Sequence, residues 1–526
     1  MQYKVLLTAS GIGSRLGELT GFTNKSLVTI GNKPALARIV EQYPEDIEFV
    51  VTLGYFGDHV KQFLEIAYPD RKFTFVNVKN YDGEGSSLGW SQLCAKQHLQ
   101  CPFIYNACDT IVTSPPPSPV AANWVGAKPG AGSSQYDSIT IGADGHISSF
   151  HRKGYMDSTH FHIGLIGVSD YSSYWKAMER LYNKEPNNRA LNDVSVIEAM
   201  LCSGADWRVV EFKEWFDIGN VAALKNARSH WKDELNVLEK IEESISLVDG
   251  KVIKFFHDKD IVSKRIERCS QLGNLTPDII NFKDNFYAYE FVPGEVASTA
   301  ISPQKMKNLI CWANKNLWVP SAHAGDFSEH CYYFYNNKTK ARLKSFLKKY
   351  PRSGECTING VRVPSVYTLL NRVPWEYLSN AQPHKFHGDF ILDNIIFKDD
   401  GTFKLLDWRH EFGNGLLASG DLYYDLAKMN HNLTVNHDIV CRDLYEINIS
   451  GDNVTCDILR KDNLVKCNET FFKEIDKCGY DINKVEILTG IVWLNMAPLH
   501  HRPFDEFLFY YGKLKLFLAL QKYYEN

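Results

Sequence analysis

Three side chains in the C-terminal half stand at a spacing suited to phosphate chemistry. In His387-Gly388-Asp389-Phe390-Ile391-Leu392-Asp393-Asn394 a carboxylate leads an amide, and Leu405-Leu406-Asp407-Trp408 supplies a second carboxylate after an apolar run. Asp389 can accept or orient a hydroxyl. Asn394 and Asp407 can ligate Mg²⁺, which together is what moving the γ-phosphoryl group of ATP requires. A second set opens the chain: Leu7-Thr8-Ala9-Ser10-Gly11-Ile12-Gly13-Ser14-Arg15-Leu16, then Asn24-Lys25-Ser26-Leu27. Gly11 and Gly13 let backbone N–H groups approach phosphate closely. Arg15 offers a fork of donors and Lys25 a mobile cation. A Gly-rich turn alone is ordinarily only a turn. Here charged groups follow it in order, ending in Asp109 and Asp217, two carboxylates able to clamp Mg²⁺.

These groups need a scaffold. Tyr3 to Thr8, Glu48 to Leu53, Phe73 to Val78 and Pro102 to Ala107 read as strands, with helical patterns over Pro34 to Glu41 and Asp58 to Ile66. Strands alternating with helices predict a parallel α/β sheet, with ligands at the carboxyl ends of its strands. The first Gly-rich turn and Asp109 both follow strands in that way. The Pro-rich stretch Ser114 to Pro119 reads as a surface loop. Composition shifts over Arg228 to Glu243, rich in Lys and Glu, which predicts a connecting helix. Ile245 to Val248 and Lys251 to Phe256 flank Asp249-Gly250, a hairpin signal. Asn394 to Phe397 and Phe403 to Leu406 flank a second turn, Lys398 to Gly401.

At 526 residues the chain exceeds one ordinary core. A formal net charge of −4 gives no basic footprint for nucleic acid. The 12 cysteines show no C-x-x-C pairing, which predicts reduced thiols in a cytoplasmic protein. No leader pattern and no long apolar run is visible, so no membrane span is expected.

The first 230 residues or so resemble the nucleotidyltransferases that act on sugar 1-phosphates and phosphocholine. Their signature L-A-A-G-x-G-[ST]-R-L, P-K-x-L, K-P corresponds to Leu7–Leu16, Asn24–Leu27 and Lys33-Pro34. Gly85-Ser86-Ser87-Leu88-Gly89 resembles the base-recognition segment, and Trp215-Phe216-Asp217-Ile218-Gly219 the W-x-D-I-G segment. The resemblance implies a Rossmann-like domain with a mostly parallel sheet. It implies nucleotide contacts at Leu7, Ala9, Gly11, Gly13, Gly85 and Ser86, metal at Asp109 and Asp217, and Lys153 on the acceptor's phosphate. Arg15 and Lys25 would be catalytic. Asn24, where relatives carry proline, predicts a looser Lys25 loop.

Residues from about 240 onward resemble the aminoglycoside phosphotransferase and choline kinase superfamily, which carries H-G-D-x-x-x-x-N and then an aspartate, often D-W, after a strand. This implies a bilobal, protein-kinase-like α+β domain. Asp389 would be catalytic, Asn394 and Asp407 would hold metal, and Lys254 would bind phosphate. Glu267 would be placed to pair with Lys254, and Glu290 and Val292 would line an adenine-binding hinge. No Gly-rich loop precedes Lys254. Asp421 and Asp425 echo the D-L-A segment and are expected to be structural, Asp425 bracing the metal loop.

The expected organisation is a nucleotidyltransferase domain over 1–230, a connecting helix over 231–243 and a kinase domain over 244–526, with its small lobe over about 244–292. The expected function is sequential: ATP phosphorylates a sugar or polyol, and a nucleoside triphosphate, CTP first, then activates the product for surface-polysaccharide assembly. Choline, held by Trp375, Trp408, Tyr423 and Tyr424, is the competing acceptor. A binding protein with one inactive half is another. Mg²⁺ is the expected cofactor. The partners are small molecules, with self-association into a homo-oligomer left open.

Overall fold

Lys4–Ala9 is apolar almost throughout and buried along its length, as a strand covered on both faces must be. It pairs in parallel with Glu48–Leu53 on one side and Phe103–Ala107 on the other, and Phe73–Asn77 extends the first edge. These are the four strands legible in the sequence, and the predicted helices appear as Ala35–Val40 and Gly57–Ala67. Beyond Phe103–Ala107 the sheet changes character. His160–Val168 runs antiparallel to it, and joins Trp124–Pro129 and Ser138–Ile141, also antiparallel. The nine-stranded sheet is therefore parallel-rich at its centre and mixed overall, in a mixed α/β fold. One buried cluster packs on each face, one around Leu7, Val51 and Phe63, the other around Leu6, Val50, Phe103 and Trp175.

The computed structural model describes residues 3–130, 135–142, 145–232, 241–323 and 325–525. The chain divides into two units, Met1–Lys259 with Ile280–Phe291, and Asp260–Ile279 with Val292–Asn526. Residues 233–240 of the predicted connecting helix lie outside the described residues. The predicted hairpin pairs Val248 with Lys251, which leaves Asp249 and Gly250 as its turn, both at positive φ. Its strands join Phe286–Glu290 and Ile279–Phe282 in a four-stranded sheet. Alternation along Lys251–Phe256 turns Ile253 and Phe255 into the first unit's core and Lys254 to the other face. That burial is why the hairpin belongs to the first unit.

The second unit is mostly helical. Ile482–Met496 is buried nearly all round and packs against Leu422–Asn432 and Phe504–Glu525. The short antiparallel pair Ile395–Phe397 and Phe403–Leu405 presents the segment that ends in Asp407. All 12 cysteines are free thiols. Among the described residues no helix is long and apolar enough to cross a membrane.

Candidate functional site

In the first unit the chain leaves Lys4–Ala9 through the Gly-rich turn. Gly13 has φ +72°, and a Cβ there would stand 2.7 Å from Lys25 Cβ, so the turn lies directly against the lysine stem. Asn24 corrects the expectation of a loose loop. It is fully buried; its Nδ2 donates to Ala9 O at 2.8 Å and Tyr55 O at 2.6 Å, and its Oδ1 accepts from Ser26 N and Oγ. A side chain thus does by hydrogen bonding what a proline ring would do by stiffness.

Lys25 Nζ donates to Asp109 Oδ2 at 2.8 Å. Burial pulls the Asp109 carboxyl upward, but the Lys25 charge and hydrogen bond, with Arg15 nearby, hold it below the usual carboxylate value. The same pair raises Lys25 against the effect of its burial. Just after Asp109, Thr110–Val112 pairs antiparallel with Trp215–Asp217, so Asp217 lies opposite Thr110. Ile218 N–H then donates to Asp109 O at 3.1 Å. The groups converge on Gly219: a Cβ there would meet Asp217 Oδ1 at 3.0 Å, Arg15 NH2 at 3.1 Å and Asp109 Oδ2 at 3.4 Å. Asp217 itself accepts from Gly219 N–H at 2.8 Å and Tyr136 OH at 2.9 Å. Tyr136 carries no motif and was invisible in the sequence.

The remaining first-unit residues fall around this centre. Leu7 and Ala9 are fully buried in the central strand. Gly11 has open space on its Cβ side. Gly85 has φ +78° beside Asn80, Ser86 Oγ donates to Gly83 O at 2.7 Å, and Ser87 caps Leu88–Ala95. Ser10 Oγ and Ser91 Oγ, 2.9 Å apart, tie that helix to the Gly-rich turn. Lys153 sits on an exposed turn, its backbone N–H on Asp137 Oδ1 at 3.2 Å. Lys254 is buried in mid-strand, paired in register with Ile245 and Tyr287. Glu290 is exposed, opposite Lys251.

In the second unit, Gly388 has φ +85° and a Cβ there would meet Arg409 Cβ at 2.5 Å, so only glycine fits the turn that presents Asp389. Asp425 braces that turn from below, accepting from His387 N–H at 2.7 Å, Gly388 N–H at 2.6 Å and Trp318 Nε1 at 3.2 Å. Burial lifts the Asp425 carboxyl to about 6 despite these donors. His387 is fully buried; Nε2 donates to Leu406 O at 2.9 Å and Nδ1 accepts from Asp389 N–H. Burial holds it down near 4, so it is neutral. Asp389 Oδ1 binds Lys428 Nζ at 2.8 Å, and Asn394 Nδ2 donates to Asp389 O at 3.0 Å and Oδ2 at 3.1 Å. Burial raises the Asp389 carboxyl, and the Lys428 charge outweighs it, leaving it lowered. Asp407 has φ +55° and pairs with Arg265 NH1.

Two expectations meet different geometry. On the helix Lys259–Leu272, Glu267 is on the exposed face, and Arg265 and Arg268 take the buried one. Arg268 donates to Phe386 O at 2.6 Å and Leu417 O at 3.0 Å. Trp408 is buried with Nε1 on Arg265 O, Trp375 donates to Leu370 O, and Tyr423 OH accepts from Asp481 N–H, so three aromatics of the expected choline cage hold backbone instead. Val292 is half-buried in the second unit.

Among the described residues no three His, Cys, Asp or Glu side chains gather as a metal cluster. Two carboxylates still suit Mg²⁺, which keeps waters and shares substrate phosphates. Asp109 and Asp217 meet that condition. In the second unit Asn394 spends its Nδ2 on Asp389, which turns its amide oxygen to other use.

No family model matches the chain. A protein of Bacillus subtilis (strain 168) described as a probable glucose-1-phosphate cytidylyltransferase is 34% identical over 89 residues, 16% of this chain. The match spans about a third of that relative's length (34%). The CTP:phosphocholine cytidylyltransferase of Streptococcus pneumoniae superposes with a TM-score of 0.37 at 16% identity, over 44% of this chain and 99% of that one. A UDP-glucose pyrophosphorylase bound to UDP-glucose gives 0.37 at 18%, over 44% and 99%. The inositol-1-phosphate CTP transferase of T. maritima gives 0.35 at 16%, over 45% and 98%.

Proposed function

We propose that the first unit transfers a nucleotidyl group to a phosphorylated sugar or polyol, and that the second unit makes that phosphorylated acceptor from ATP. The observation that carries the first half is the convergence of Arg15, Asp109 and Asp217 around Gly219, with Lys25 bound to Asp109. Two cations there can hold the triphosphate and the leaving pyrophosphate. The acceptor phosphate is itself the nucleophile, so positioning and charge neutralisation suffice. Gly11, Gly13, Gly85 and Ser86, with the backbone of Leu7 and Ala9, would seat the nucleotide, and Lys153 the acceptor phosphate. CTP is the first choice of nucleotide, in keeping with the description of the Bacillus subtilis relative.

The second half rests on the braced turn at Asp389. Asp389 would orient the acceptor hydroxyl and take its proton, with Lys428 holding the carboxylate ionised. Val292 would serve ATP; Lys254 and Glu290, expected beside it, belong to the first unit. Mg²⁺ would be held by Asp109 and Asp217 in one site and by Asn394 and Asp407 in the other, neutralising phosphate charge. The product would be a nucleoside-diphosphate precursor of surface polysaccharide. The packing of Trp375, Trp408 and Tyr423 favours a sugar or polyol over choline.

Paired variants test the reading. Asp389→Asn should cut ATP-dependent phosphorylation by about 10²–10⁴-fold and spare pyrophosphate release from CTP and a ready-made sugar phosphate. Asp109→Ala should do the reverse. Equal loss of both activities in either variant would end the two-site reading.

A further inference from the structure

Beside Asp389 the second unit gathers more positive charge than its acids neutralise. Lys428 is matched by Asp389 at 2.8 Å, and Glu411 is matched by Lys264 at 2.6 Å. That leaves Lys338, Arg342 and Arg409. Arg342 NH1 reaches only the backbone oxygen of Asn495, at 3.2 Å, and Arg409 Nε only that of Glu411, at 2.9 Å. Lys338 Nζ has no hydrogen-bond or ion-pair partner among the described residues; it lies 4.3 Å from the Phe334 ring centroid, and the Arg409 guanidinium lies 5.1 Å from the same ring. Arg409 is tied to the catalytic turn, its N–H donating to His387 O at 3.0 Å and its Cβ filling the space beside Gly388. Phe334 lies in a π-helical turn, Tyr333–Asn337, that leads into the helix starting at Lys338; such turns recur at functional sites.

Half-buried cations that face one another are costly to fold when the acid acting on Lys338, Glu411, is already held by Lys264. Burial, then the charges of Arg409, Arg342 and Lys428, push the Lys338 ammonium down to about 6. An anionic ligand would relieve both burdens. We propose that Lys338, Arg342 and Arg409 form an anion-binding subsite beside Asp389, and that the acceptor alcohol of the second unit carries a carboxylate or a phosphate besides the hydroxyl it offers. This rests on the kinase reading of Asp389 and narrows its substrate class. It opposes a cationic acceptor outright and demotes a neutral sugar.

Binding is measured by calorimetry on the full chain with Mg²⁺ and a non-hydrolysable ATP analogue. The ligands are matched pairs: glucuronate and glucose 6-phosphate against glucose, glycerate and glycerol 3-phosphate against glycerol, with choline as the cation. In at least one pair an anionic member should bind at least tenfold tighter than its neutral mate; whether it is the carboxylate or the phosphate names the group. Lys338→Met should erase that preference and Lys338→Arg should keep it. Anionic and neutral members binding within twofold in every pair, or choline binding tightest, overturns the subsite on the wild-type protein alone. ATP consumption with the same ligands is read separately. An anionic alcohol that binds in a Lys338-dependent way and is never phosphorylated would refute the kinase reading and leave the anion subsite standing.

Discussion

Asp109 and Asp389 each meet one lysine at 2.8 Å, yet what stands behind them differs. Asp109 is placed by strand register and close approach: a short antiparallel ribbon brings Asp217 alongside, and the bare Cα of Gly219 lets three charged groups close in. Asp389 is placed by a buried polar scaffold, with Asp425 and His387 holding the backbone of its turn. The first arrangement spends little stability and tolerates little added volume. The second stakes stability on two buried titratable groups whose values are pushed in opposite directions. Perturbations that separate volume from charge should therefore separate the sites.

The largest effect is expected from acid titration of the second site. Asp425, near 6 when folded, lies above its ordinary value of 3.8, so its contribution is full below about pH 4 and is lost as pH rises through 6. His387, near 4 when folded, lies below its ordinary 6.5, so its contribution is full above pH 6.5 and is lost as pH falls through 4. Between pH 4 and 6 the two slopes oppose, each amounting to about 2 kcal/mol within that window and about 3 kcal/mol over its full span. Asp425→Asn removes one of them. Its unfolding free energy should drop by about 2 kcal/mol more than wild type between pH 6.5 and 4.5 in urea melts. Parallel pH curves would show that the scaffold does not titrate as described, and would erase the contrast with the first site.

Asn24→Ala asks whether the first site also depends on a buried polar group. The substitution strands the carbonyls of Ala9 and Tyr55 and should cost about 2 kcal/mol. Because the lost bonds tether the Lys25 loop, nucleotidyl transfer should fall with it, through KM for the triphosphate. A stable variant with unchanged KM would mean that register alone fixes Lys25.

The sequence carried the parallel strands and both turns because each is written locally: apolar runs for buried strands, glycines for positive φ, Asp249-Gly250 for a two-residue hairpin. It did not carry the antiparallel strands from Trp124 to Val168, whose pairing is set by neighbours far along the chain. It suggested that Glu267 faces inward, where helical geometry turns Arg265 and Arg268 to the buried side. Arg265 on Asp407, Tyr136 on Asp217 and Lys428 on Asp389 are contacts across long separations with no motif to announce them. Asp425 was legible only as a bracing residue; its two backbone donors needed the fold.

Gly219→Ala is the smallest change and the most direct probe of closeness. Its φ lies outside the left-handed region, so alanine adds volume without backbone strain. The new methyl would sit 3.0 Å from Asp217 Oδ1 and 3.1 Å from Arg15 NH2, tighter than carbon ordinarily approaches either. Both neighbours are side-chain ends and can retreat by a few tenths of an ångström, so the melting temperature should hardly move. The retreat displaces the groups proposed to hold phosphate and metal, where small misplacements are expensive. Nucleotidyl transfer should fall about tenfold, close to 1.4 kcal/mol in the barrier, with phosphorylation by the second unit untouched. A variant that melts early yet keeps full transfer when folded would reverse the assignment, making Gly219 a packing residue and the convergence around it incidental to the chemistry.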